Sequence, residues 1–306
     1  MYLKYFTNYL LATIISRGLG FILIPYMVSV FSPNEYGKLG IFILLFPFLI
    51  DLVHHSASGY YTLHYFKKKC DKLLAKVISE QISYLFLLLI FLVLFNFIFK
   101  DLFNISTLAS IYIIIFSRSL NLCFLAYFKV KELVMKFCLI ELIDSVVATI
   151  LTLLLFEFFS ASIENRLWSL ALASFVALIF SILFTKLPIR DLFIRLNFKI
   201  IKPIFSYGFS IYPHVLGASL LLGADRLFLS HYHDIDTVGL YTLSFQYASI
   251  LLILNSICTR IFQPRAYEYF NNFNIHKNSI QLCTPLALPY ILIIISFSIL
   301  LIIFIS

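Results

Sequence analysis

The sequence predicts an all-α, polytopic membrane protein of about nine transmembrane helices. Three observations carry that prediction. The chain of 306 residues is 61% hydrophobic and only 12% charged, with a mean hydropathy of +0.97. A soluble domain is about 25% charged, and a water-facing surface built from so few charges would be apolar over thousands of Å², so lipid is the expected solvent. Apolar runs of helix-spanning length recur along the chain. Basic residues fall in every second connection.

The runs are 9–31, 39–58, 77–99, 108–128, 137–157, 167–187, 204–229, 239–262 and 280–305. The first is too long for the hydrophobic region of a signal peptide and lacks a small-residue cleavage site, so it is expected to be a span. Each run is continuously apolar rather than alternating, which excludes a transmembrane β-barrel. Short connections predict antiparallel neighbours. Pro25, Pro47 and Pro213 fall inside spans, and Pro285 and Pro289 early in the ninth, where each would kink or soften its helix. Aromatic residues make up 18% of the chain, in keeping with Tyr and Trp at membrane boundaries.

With a cytoplasmic N-terminus, sixteen of the 23 lysines and arginines lie in inside segments and three (Lys38, Lys100 and Arg166) in outside loops. The other four, Arg17, Arg118, Arg226 and Arg260, lie within or at the edges of spans. The bias sets the orientation and accounts for the net charge of +8 through contact with anionic lipid, without nucleic acid. The longest basic connection, 185–203, places Ile189, Leu192, Phe193, Leu196 and Ile200 on one helical face, as expected of a helix lying on the inner leaflet.

An internal repeat divides the chain. "SPNEYGKLGIF" at 32–42 follows the first run, "HDIDTVGLYTLS" at 233–244 follows the seventh, and Gly37 aligns with Gly239 at an offset of 202. Ser32 and Glu35 form a capping-box pattern with Pro33 at the first helical position. Equivalent segments in two halves point to parallel six-helix repeats of the kind found in some transporters. The expected organisation is an N-terminal six-helix lobe over 1–187, a basic interfacial linker over 188–203, and part of a C-terminal lobe, three helices, over 204–306.

Two stretches, "SRGLGFILIPYMVSVFSPNEYGKLGIF" and "DRLFLSHYHDIDTVGLYTLSFQYASILLIL", resemble the polysaccharide-transporter branch of the MOP (MATE-like) superfamily, the Wzx-type flippases of O-antigen and capsule repeat units. The sharpest points of resemblance are Ser16-Arg17 with Pro25, the Pro33-to-Gly37 turn, Asp225-Arg226, and Gly239-Leu240-Tyr241. The resemblance implies two helical lobes around a cationic cavity that opens alternately to either side. It implies a polyprenyl-diphosphate-linked oligosaccharide as substrate, and the bacterial inner membrane and lipopolysaccharide or capsule assembly as setting. Polysaccharide polymerase and chain-length machinery are the implied partners, with membrane lipids. Family members have twelve or more spans, so a chain ending at the ninth is expected to be a truncated form.

Charges inside spans cost about 2.5–3.5 kcal/mol at a helix centre and normally face a cavity or a partner. Arg17 and Arg118 lie near mid-span in helices one and four, and each is either a cavity residue for diphosphate and acidic sugars or half of a salt bridge to Asp51, Glu141 or Asp144. Glu141 and Asp144, three apart, share a helix face and either hold a proton or a sodium ion or pair with Arg118. Asp51 and His54, with His55 adjacent, form either a proton relay or a satisfied polar cluster. Asp225 and Arg226 fall at the end of helix seven, pointing about 100° apart, one toward the cavity and one as a brace, in a gate or interlobe role or as plain anchors. Arg260 is expected to snorkel to headgroups.

No metal or cofactor is expected: His-Asp without a third ligand is poor evidence for zinc. Cys70, Cys123, Cys138, Cys258 and Cys283 form no CxxC pair and read as small buried hydrophobes. P-loop, Rossmann and GxSxG patterns are absent from the sequence. Two alternatives to a flippase stand: a multidrug or metabolite exporter of the MATE type, disfavoured by the excess of arginine, and a membrane enzyme such as a polymerase or acyltransferase, disfavoured by short outside loops.

Overall fold

A computed structural model of the chain describes residues 2–68, 72–98, 104–185, 198–221 and 223–249. These residues form ten helices: α1 (Tyr2–Val30), α2 (Pro33–His54), α3 (Ala57–Lys68), α4 (Lys72–Ile98), α5 (Ile105–Val130), α6 (Val134–Phe158), α7 (Ile163–Thr185), α8 (Phe198–Leu221), α9 (Ala224–Tyr232) and α10 (Ile235–Ala248). Among the described residues, six segments are long and apolar enough to cross a membrane: Leu11–Val30, Pro33–His54, Leu73–Leu94, Ile105–Val130, Val134–Phe158 and Ile163–Thr185. They match the first six predicted spans, and the chain is a multi-pass membrane protein. The second is followed by a helix that the hydropathy did not separate, α3, after a break at His55 and Ser56.

The predicted seventh span, 204–229, is two helices. Gly223 makes the turn between α8 and α9, its amide bonded to the Leu220 carbonyl at 3.0 Å, and its α-carbon lies against Leu44 of α2. The eighth run begins as α10 and continues past the described residues. The ninth run, residues 186–197 of the basic interfacial connection expected over 185–203, Arg260, Pro285, Pro289, Cys70, Cys258 and Cys283 fall outside them, and residues 198–203 of that connection form the first turns of α8.

Local chemistry explains the ends. Ser32 caps α2 and exchanges hydrogen bonds with Glu35, the full capping box, with Pro33 at the first position. Asn104 caps α5 through Ser106, and Asp234 caps α10 through Thr237. Lys136 donates to the Phe184 carbonyl at 2.7 Å, a cation at the negative end of α7.

The main core joins α2–α5 and α7 around Tyr61, Leu74, Ile114, Phe124, Phe128 and Leu167, and a second joins α1, α2 and α6 around Leu23, Met27, Phe31, Tyr36 and Phe156. Lipid tails are as apolar as these side chains, so association rests on close packing and polar bridges. α7 offers Ala171, Ser174, Ala177 and Ser181, all buried, to α5. Asn121 donates to the Ser174 carbonyl at 3.2 Å and accepts from the Ser181 hydroxyl at 2.6 Å. Cys123 and Cys138 are buried and form no disulfide among the described residues.

Candidate functional site

The two repeats meet at the N-termini of α2 and α10, hereafter the cap end. The offset of 202 that aligns Gly37 with Gly239 also aligns Ser32 with Asp234, Pro33 with Ile235, Glu35 with Thr237, and Gly40 with Thr242. Gly37 lies on the Ile235 carbonyl and Gly239 on the Pro33 carbonyl. A Cβ at Gly37 would stand 3.1 Å from the Gly239 nitrogen, and one at Gly239 would stand 3.2 Å from the Gly37 nitrogen. Gly40 abuts Thr242, whose Cγ2 would be 2.8 Å from an added Cβ. Reciprocal contacts between equivalent positions make a pseudo-twofold interface between parallel helices, and the small residues permit the approach. Tyr36, buried in this interface, donates to Gln246 Oε1 at 2.7 Å.

Asp225 and Arg226 strengthen the same end from within the second repeat. The Tyr241 hydroxyl donates to Asp225 Oδ2, while Asp225 Oδ1 accepts the Arg226 amide at 2.8 Å. The Arg226 guanidinium, 5% exposed, lies 4.5 Å from the centre of the Phe245 ring, a cation–π contact. Burial disfavours its charge, and the Asp225 carboxylate and Tyr241 oppose that effect. Both residues therefore bind α9 to α10.

Among the six spans, Arg118 of α5 meets Asp144 of α6 at 4.0 Å, with both side chains about a third exposed (35% and 34%). This is a long ion pair. Arg118 Nε and Asp144 Oδ1 have no hydrogen-bond partner among the described residues, so the guanidinium keeps spare donors. Glu141 is half-buried one turn before Asp144, and its carbonyl accepts the Ser145 hydroxyl at 2.7 Å. Arg17 sits exposed in the middle of α1.

Arg166, counted by sequence among the outside loops, instead lies in the first turn of α7. Its Nη1 donates to the Thr152 hydroxyl and lies 3.4 Å from that of Ser169, and it is in electrostatic range of both Arg118 and Tyr36. The signal for it was present: an arginine four residues before Leu170, at the edge of an apolar run, is as much inside a helix as outside it. Arg166 is thus in electrostatic range of Arg118, which itself meets Asp144.

At the opposite end of α2, Asp51 and His54 part company. Asp51 is half-buried and within electrostatic range of Tyr212 on α8. His54 is 4% exposed, its Nε2 accepting the Ser58 amide at 3.1 Å and its carbonyl accepting Gln81 Nε2 at 3.1 Å. Gln81 also reaches Glu80 Oε2 at 3.3 Å. Glu80 and Gln81 were not singled out from sequence, although Glu80 lies inside the run 77–99 and the rule that marks Asp51 applies equally to it. His55, next to His54, has its ring against Tyr84, Phe205 and Tyr212 at 4.5, 5.7 and 4.9 Å between centroids. Among the described residues no group of three or more His, Cys, Asp or Glu is placed to hold a metal ion.

Comparison with known proteins agrees with this architecture. An "Uncharacterized membrane protein" of Haemophilus influenzae is 22% identical over 286 residues, which cover 92% of this chain and 69% of that one. No solved structure matches. The model of the family described as "Polysaccharide biosynthesis protein" matches residues 3–270. Because that match spans most of the chain, the chain belongs to the polysaccharide biosynthesis protein family, which includes the Wzx-type flippases, and has a membrane role in polysaccharide assembly.

Proposed function

We propose that the chain is a flippase. It moves a polyprenyl-diphosphate-linked oligosaccharide, an O-antigen or capsule repeat unit, across the bacterial cytoplasmic membrane by alternating access. The observation that carries this reading is the pair Arg118 and Arg166, in electrostatic range of each other among apolar spans, with Asp144 4.0 Å from Arg118. A guanidinium stays ionised and presents a fork of donors matched to phosphate oxygens, and Arg118, about a third exposed, keeps donors beyond its long contact with Asp144. Arg17, exposed in mid-span, extends the same cationic character to α1.

The orientation with the N-terminus in the cytoplasm follows from the lysine and arginine bias. It makes the cap end the outer gate, where Gly37 and Gly239 close the repeats on each other and Asp225 and Arg226 hold α9 to α10. The lobes are residues 1–187 and the segment beginning at 204, joined by 188–203. Rocking of the lobes exposes the arginines to either side while the lipid tail stays in the bilayer. Asp51, His54, Glu141 and Asp144 are the groups through which an ion gradient drives that motion. No bond in the substrate is broken. The connections among the described spans, such as 159–162, are too short for a catalytic loop, which favours transport over the polymerase alternative, and the cationic cluster favours anionic substrates over the cationic drugs of a MATE-type exporter.

The test is export in cells whose own flippase gene is deleted. Arg118→Ala and Arg166→Ala proteins, present at wild-type levels, are expected to leave lipid-linked units on the inner face and to abolish surface polysaccharide. Normal surface display with both variants would refute the reading. Export of single, unpolymerised units would point to a polymerase.

A further inference from the structure

Glu80 has no part in the transport cycle as described, yet it is the most deeply buried carboxyl in the described spans. It lies two turns into α4 and is 0% exposed, as is Gln81. Oε2 accepts from Gln81 Nε2, and Oε1 has no hydrogen-bond partner among the described residues. Gln81 Oε1, on the same amide, is also without a hydrogen-bond partner among the described residues.

Among the described residues, the charged and titratable groups around it offer no positive charge. They are His54 and His55 from α2, Tyr60 from α3, Tyr84 one turn on in α4, and Cys123 from α5, with Tyr212 of α8 beyond Tyr84. His54 is neutral, because its Nε2 accepts the Ser58 amide and must therefore carry no proton. Lys76, one turn earlier in α4, makes no ion pair with Glu80. An ionised carboxylate in this site would be buried with neither a cation nor a full set of hydrogen bonds, an arrangement strongly disfavoured in a dry interior.

The neighbouring turn gives the group something to control. His55 and Ser56 hold φ of 47° and 50°, the left-handed region, in two successive residues that are not glycine. Gln81 ties this turn to Glu80 through the His54 carbonyl. The turn is also where α8 leans on α2: a Cβ at Gly208 would be 2.5 Å from the His55 carbonyl oxygen.

We propose that Glu80 is a proton-binding site, linked through Gln81 to the His54–Ser56 turn, and that its occupancy sets whether α8 stays docked on that turn. With the proton on Oε1, the new O–H is accepted by Gln81 Oε1, the other end of the amide that donates to Oε2, and the Gln81 amide keeps its bond to the His54 carbonyl. Loss of the proton to water leaves a carboxylate that draws the Gln81 amide to itself or admits water. The turn then loses its tie, and the strained pair relaxes. Only a proton moves. Its use in transport rests on the flippase reading; its occurrence does not.

Hydrogen exchange of residues 54–60, corrected for the intrinsic pH dependence, tests this on the full chain in lipid nanodiscs without any substrate. Wild type is expected to lose protection as pH rises, and Glu80→Gln, isosteric with the protonated acid, to stay protected throughout. If Glu80→Gln does not fold, Glu80→Asp serves instead and is expected to shift the midpoint. An unchanged pH profile in either variant, no pH dependence in wild type, or protection that follows sodium at fixed pH would each overturn the proposal. Failure of the export assay with intact hinge titration would count against the flippase reading alone.

Discussion

The hydroxyl of Tyr36 donates to Oε1 of Gln246 at 2.7 Å, across 210 residues of sequence and across the boundary between the two repeats. Tyr36 is buried, so the bond competes with no bulk water. Tyr36→Phe leaves Gln246 unpaired there, at about 0.5–1.5 kcal/mol for a net hydrogen bond. The expected result is a fall in thermal stability of the purified protein with Gln246→Leu in the Tyr36→Phe background adding little, since the partner is already lost.

Gly37 and Gly239 set the approach of α2 and α10. Gly37→Ala drives a methyl toward Ile235 Cγ2, at 2.8 Å, and the Gly239 nitrogen, an overpacking worth about 1–3 kcal/mol. Spin labels at Asn34 and Asp236 should move apart in this variant. Gly18→Ala, where an added Cβ meets nothing within 4 Å, should leave that distance unchanged.

Arg166 offers a fork that lysine lacks. Arg166→Lys keeps the charge and should retain partial export, whereas Arg166→Ala should lose it. A hydrogen bond to a charged group contributes about 1.5–3 kcal/mol, so binding of a soluble diphosphate analogue should weaken roughly tenfold to a hundredfold. Calorimetry on the detergent-solubilised chain reads this directly, and equal affinity in both variants would remove Arg166 from the binding site.

Asp225 and Tyr241 form the brace between α9 and α10. Their double-mutant cycle, Asp225→Asn with Tyr241→Phe, should give a coupling of about 0.5–3 kcal/mol in thermal unfolding. Simple additivity would mean that the two residues act apart.

Asp234 caps α10 in a connection outside the spans. The Thr237 hydroxyl, and then the Thr237 amide, hold its carboxyl below the usual carboxylate range. A depressed value stabilises the folded chain above the unfolded value of about 3.9, and that contribution is lost as pH falls through the folded value. The wild-type melting temperature should therefore approach that of Asp234→Asn as pH drops below about 4, with the gap widest near neutrality. A gap that does not close in acid would show that the cap acts without its charge.

Sequence alone determined the solvent, the first six spans and the capped start of α2. These follow from composition summed over twenty residues and from cap chemistry within four, and both are local. Ser32, Pro33 and Glu35 stand as a capping box because each needs only its own helix turn. Which polar groups meet was decided by packing. Arg118 and Asp144 were legible as a possible pair because α5 and α6 are joined by a three-residue turn. Arg166 near Arg118, Glu80 near His54, and Tyr36 on Gln246 were not, because each depends on how helices rotate about their axes. In lipid that rotation is fixed by small residues such as Gly37, Ala171 and Gly239, and by a few hydrogen bonds, rather than by an apolar stripe. A helix that is hydrophobic all round carries little record of which side faces its neighbour.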